Sequence, residues 1–119
     1  MPCFGGKRED FSARLLKDFE GIRIRLTHER LRHILGRPEM TGIESSIEET
    51  LRSPETVVRS LSDLEARLYY RYYRYYAGTA AGDKFLCVVV KLAQADAFVV
   101  TAYLTDRLKT GEQVWPEKP

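Results

Sequence analysis

Between Arg67 and Tyr76 the chain carries six tyrosines and three arginines in ten residues. Tyrosine is a strong strand former, so this run predicts a strand. In that strand Tyr69, Arg71, Tyr73 and Tyr75 share one side, and Tyr70, Tyr72, Arg74 and Tyr76 share the other. Residues 77–83 read as a loop. Lys84 to Leu92 is apolar on both faces, as a central strand should be. Ala97 to Leu104 is a further β-branched, apolar run, and Thr56 to Leu61 is a short candidate strand.

The first half of the chain reads differently. Phe11, Leu15, Leu16 and Phe19 stand at spacings of 4, 1 and 3, which predicts an amphipathic helix over Asp10 to Phe19, stopped by Gly21. Ile22 to Leu26 alternates strictly and predicts a half-buried strand. Thr27 is placed to cap a helix running through Leu35, which Gly36 and Pro38 end. Thr41 followed by Glu44 reads as a capping box for a second helix with Ile43, Ile47 and Leu51 on one stripe. Helices first and an antiparallel meander afterwards give an α+β fold: N-terminal helices packed on a four-stranded, or slightly larger, antiparallel sheet. A chain of 119 residues predicts one domain, here 9–119, behind a flexible N-terminus over 1–8.

Composition narrows the function classes. With 44% hydrophobic and 30% charged residues the chain reads as a soluble globular protein. The longest purely apolar run, Phe85 to Val90, is far short of the roughly 20 residues a membrane helix needs. The expectation is therefore no membrane. The chain turns polar by Lys7, before any leader-like apolar stretch develops, and only Cys3 and Cys87 are present. That pattern predicts a cytoplasmic protein without a disulfide framework. No Cys/His spacing fits zinc, and no nucleotide-cofactor loop is present, so the expectation is no metal and no cofactor. Formal charge is only +2, yet residues 41–66 hold six acids against two bases while both flanking segments are basic.

Three groups of residues could carry chemistry. On the first of these, the helix from Thr27, a wheel puts Leu31, Ile34 and Leu35 toward the core and Arg30, His33 and Arg37 along another side. His28 lies near the edge of the apolar stripe. Guanidiniums hold phosphate oxygens and imidazole exchanges a proton near neutral pH, which suits phosphodiester chemistry. The plain alternative is a solvated face with a Glu29–His33 pair. The second group is the Tyr/Arg strand. Aromatics and arginines on a sheet hold single-stranded nucleic acid, and they serve protein interfaces equally well. Tyr70, Tyr72, Arg71 and Arg74, with Arg37 and Lys91, are the candidate nucleic-acid contacts. The third group is Thr101 and Tyr103, whose hydroxyls project from one side of their strand and could orient a phosphate.

Several short motifs occur in a telling order: Leu26 to Leu35 with its Arg-x-x-His helix, Pro38-Glu39-Met40, Leu51 to Val57 with Ser-Pro, Leu68 to Arg71, Phe85 to Lys91, and Ala97 to Tyr103 with Thr-Ala-Tyr. Together they resemble the small phage- and plasmid-associated nuclease-like proteins of the barnase–EndoU–colicin–RelE superfamily. The resemblance spans residues 22–115. It implies a metal-independent endoribonuclease, toxin-like or carried on a mobile element, in which the ribose 2′-OH attacks the adjacent phosphate. Carried over by position, His33 and Arg30 match the helix motif, and Thr101 and Tyr103 the last core strand, with His28 as a second imidazole. The chain departs from the pattern at Gly36-Arg37-Pro38-Glu39, where many such proteins read Arg-His-Pro-Glu. The rival reading is a non-catalytic nuclease-like module that binds nucleic acid or a protein, or that dimerises through its tyrosine strand. Expected partners are RNA, an antitoxin or other protein, and a second copy of the chain.

Overall fold

The computed structural model describes residues 13–73 and 84–117. The expected flexible segment 1–8, together with Arg74, Tyr75 and Tyr76, lies outside the described residues. Among the described residues, seven strands form a single mixed sheet. They are β1 (Arg14–Lys17), β2 (Arg23–Leu26), β3 (Thr56–Ser60), β4 (Ala66–Tyr73), β5 (Lys84–Ala93), β6 (Asp96–Thr105) and β7 (Gly111–Trp115). Two short helices, α1 (His28–Leu35) and α2 (Glu44–Arg52), come between β2 and β3. The sheet order is β1-β2-β6-β5-β4-β3-β7. Strands β3 to β6 run antiparallel in succession, and the Arg25–Phe98 pairing joins β2 to β6 in parallel.

This architecture corrects the expected one. The sheet has seven strands and is mixed, not four-stranded and antiparallel, and two strands precede the helices. The helix expected over Asp10 to Phe19 is replaced in its described part by β1. Leu15 and Leu16 gave a helical spacing, but only Leu16 is buried (2% exposed) while Leu15 stands 63% exposed. Pairing with β2, with Leu16 opposite Ile24, imposes the two-residue period of a strand.

Helix α1 begins as read, with the Thr27 side chain accepting from the Arg30 N–H at 3.0 Å. The capping box does not form. Thr41 instead donates its hydroxyl to the Pro38 carbonyl at 3.0 Å, and α2 starts at Glu44 behind Ile43 with no side-chain cap. Gly42 at φ +77° turns the chain between them.

Both helices cover one face of the sheet. Leu31 and Ile34 of α1 and Ile47 and Leu51 of α2 pack with Ile24, Leu26, Tyr69, Leu86, Val88 and Ala102 into the main core. The other face carries a smaller cluster of Val58, Leu68, Tyr70 and Cys87, flanked by Phe85, Val89 and Tyr103. Alternation along each strand thus sorts the side chains into a helix-covered layer and a layer that no helix among the described residues covers, called helix-free below. No helix among the described residues is long and apolar enough to cross a membrane.

Candidate nucleic-acid interface

The register of β4, β5 and β6 decides which predicted residues meet. Tyr70 lies opposite Cys87, Tyr72 opposite Phe85, and Cys87 opposite Tyr103 in turn. Thr101 lies opposite Val89, and Lys91 opposite Ala66. Tyr70, Tyr72, Thr101, Tyr103 and Lys91 therefore share the helix-free face. Tyr72 is 41% exposed and meets Phe85 edge-on, with centroids 5.3 Å apart. Tyr70 is fully buried.

Arg71 faces the opposite way. It donates to the Ser53 carbonyl at 2.7 Å and lies 3.9 Å from Glu49, which ties β4 to the end of α2. Arg37 donates to the main-chain oxygen of Ala102. That oxygen belongs to a stretch of β6 beyond its pairing with β2, so the guanidinium satisfies a carbonyl at a strand edge that no other strand covers among the described residues. Lys91 is held by Asp63 at 3.0 Å, and this contact raises the lysine pKa and lowers that of Asp63. These three cations hold main chain or carboxylate.

Arg30, His33 and His28 are exposed on α1. Arg30 and His33 line a cavity of about 240 Å³ with Glu29 and Arg32. Leu31 and Ile34 press α1 onto the helix-covered face, next to Ala102. Thr101 and Tyr103 flank Ala102 in sequence and point to the other side. The sheet and the body of α1 thus separate the imidazole from both hydroxyls, and the expected single pocket is not assembled.

The helix-free face contains no imidazole among the described residues, and its Tyr70 and Tyr103 phenols and Cys87 thiol hold their protons tightly. Burial pushes the Tyr70 phenol up to about 12, against the opposing effect of a hydrogen bond from the Lys109 N–H. Burial raises Tyr103 further above the phenol range, with Cys87 adding to it. Burial also lifts the Cys87 thiol to about 11, although hydrogen bonds with Tyr103 and Tyr70 pull the other way. Groups of this kind donate hydrogen bonds at neutral pH and do not abstract protons. Among the described residues, no three His, Cys, Asp or Glu side chains gather as a metal site would require.

Sequence reasoning missed one element of this face. The five residues Asp106 to Thr110 join β6 to β7, which lie on opposite sides of β5, β4 and β3. The segment crosses the sheet as a strap. Asp106 meets Lys84 of β5 at 2.6 Å, and the Lys109 N–H reaches the Tyr70 hydroxyl of β4 at 3.0 Å. Arg107 and Lys109 on the strap are exposed and enter none of the ion pairs among the described residues. The sequence signal was the pair of bases in Asp106-Arg107-Leu108-Lys109, but nothing local says that they pass over tyrosines.

The chain matches no family model, no curated protein and no solved structure.

Proposed function

We propose that this chain is a nuclease-like module that binds single-stranded RNA on the helix-free face of its sheet without cleaving it there. The observation that carries the reading is the strap. It carries two exposed cations, Arg107 and Lys109, that enter no ion pair among the described residues, and its Lys109 N–H contacts Tyr70 on the face that also holds the exposed Tyr72 ring and the Thr101 and Tyr103 side chains. Cations take phosphates, an aromatic ring takes a base, and hydroxyls take sugar or phosphate oxygens. The Tyr70 and Tyr103 phenols and the Cys87 thiol stay protonated near neutral pH, which favours holding a strand over activating its 2′-OH. The sequence resemblance to the barnase–EndoU–colicin–RelE superfamily supports RNA as the ligand class.

Binding is measured with labelled RNA in EDTA over a salt series. Each phosphate neutralised on a single strand contributes about 0.7 to the salt slope, so Arg107→Ala with Lys109→Ala should flatten it by about 1.4. Tyr72→Ala should cost about 1–3 kcal/mol if a base stacks there. Binding insensitive to salt and to all three substitutions sinks the reading.

One observation favours a second reading, metal-independent ribonuclease action at α1: His33 shares its cavity with Arg30 and Arg32. There the imidazole would take the 2′-OH proton and the guanidiniums would hold the phosphate. The same assay separates the two. Products with 2′,3′-cyclic ends that vanish in His33→Ala belong to α1 and to an enzyme. Intact RNA in a salt-sensitive complex belongs to the module.

A further inference from the structure

Strand β7 is held to the rest of the molecule in an unusual way. Among the described residues it lies at the outer edge of the sheet and pairs only with β3, and its register slips at a bulge between Val57 and Val58. The strap leading to it has almost no slack. From β6 to β7 the sheet advances four strand spacings, about 19 Å at the usual spacing. Six peptide steps from Thr105 to Gly111 reach at most about 20–22 Å. The row of β6 that the strap leaves, opposite Phe85, is also well along the strands from the row where it lands, opposite Ser60. Only a sheet curled toward its helix-free face lets five residues make that crossing.

The landing point is tight as well. A Cβ added at Gly111 would stand 2.4 Å from Val58 Cγ1 and 2.5 Å from the Arg59 carbonyl oxygen. Where the strap lands, the β7 backbone lies so close to β3 that a side chain has no room.

We propose that two copies of this chain exchange β7, with the strap as the hinge, to form a domain-swapped dimer. In the exchanged form β7 of each copy pairs with β3 of the other. The β3–β7 ladder, the Arg59–Glu112 ion pair and the packing of Trp115 on Phe19 are all kept. The strap then runs straight between molecules, and the curl that a five-residue crossing demands is relieved. A short connection with no slack favours this exchange, because leaving the closed form gives up little chain freedom. The partner surface is the edge of β3, and the partner is a second copy. The exchange does not rest on RNA binding, but it breaks the Lys109–Tyr70 contact and lifts the strap off the face of its own chain, so the RNA surface proposed above belongs to the unexchanged form.

The test uses the full chain with Val58→Cys and Gln113→Cys, which lie opposite each other in register, in a Cys3→Ser background. After concentration and mild oxidation the bond forms within one chain if β7 stays home and between chains if it is exchanged. Non-reducing denaturing electrophoresis should show a band at twice the 13.7 kDa chain mass. That band should be lost when Gly-Ser-Gly-Ser is inserted after Leu108, while the bond within one chain persists and reports a folded variant. Cross-linking confined to single chains at every concentration overturns the exchange. So does a doubled band that survives the insertion, because the hinge then plays no part.

Discussion

Tyr69 and Tyr70 are both fully buried, and each holds its proton above the ordinary phenol value because burial disfavours the phenolate. For Tyr69 a hydrogen bond to Asp18 at 2.7 Å adds to that effect. Below about pH 10 the folded and unfolded chains both keep these protons, so the phenols leave stability unchanged. Above that value the unfolded chain releases them first, and stability falls by about 1.4 kcal/mol per pH unit for each phenol. Urea midpoints followed from about pH 9 to 12 should decline accordingly, and Tyr70→Phe should remove one phenol's share of the slope. An unchanged slope in that variant would place Tyr70 outside the buried layer. At this scale the sequence was half legible. The two-sided tyrosine strand was readable from alternation, and β4 has Tyr69, Arg71 and Tyr73 on the helix side. Nothing near Asp18 announces that its carboxylate serves Tyr69, 51 positions away, since partners so distant are chosen by the fold.

Short elements depend on their ends. Thr27→Ala removes the acceptor of the Arg30 N–H and should lower stability by about 1 kcal/mol, read from thermal or urea unfolding. Gly111→Ala forces a methyl group into Val58 and the Arg59 main chain, and should cost about 1–3 kcal/mol. Its effect should also appear as faster amide exchange in β7 than in β5, because the clash is confined to the β3–β7 pairing. The helix α1 was legible in detail because cap, stripe and stop signals all agree. Strand β1 was not, because four residues with two adjacent leucines fit either period until β2 supplies a partner. The capping box failed for a related reason: Gly42 redirects the chain, and Thr41 finds the Pro38 carbonyl first. Strand β7 carries glycine, glutamate and glutamine in five residues, and only pairing with β3 makes it a strand.

At the scale of the whole molecule, strand order decides what the site residues can do together. The parallel contact between β2 and β6 joins parts of the chain separated by 73 positions, and no local pattern encodes it. That contact, with the helices packed on one side, sends His33 and Tyr103 to different layers, although the sequence reading expected them in one site. The tyrosine strand β4 is likewise an interior strand, flanked by β3 and β5. Among the described residues it has no free edge through which a second copy could pair, so the edges open to strand addition are those of β1, β7 and the stretch of β6 beyond β2.

A chain divided this way behaves as two instruments on one frame. His33→Ala and Tyr72→Ala share no contact and sit on opposite sides of the sheet. Their effects on unfolding free energy should therefore sum within about 0.3–0.5 kcal/mol in a double-mutant cycle. A larger coupling would mean that the two surfaces communicate through the sheet. Near-zero coupling would let either surface be altered, labelled or blocked while the other goes on reporting.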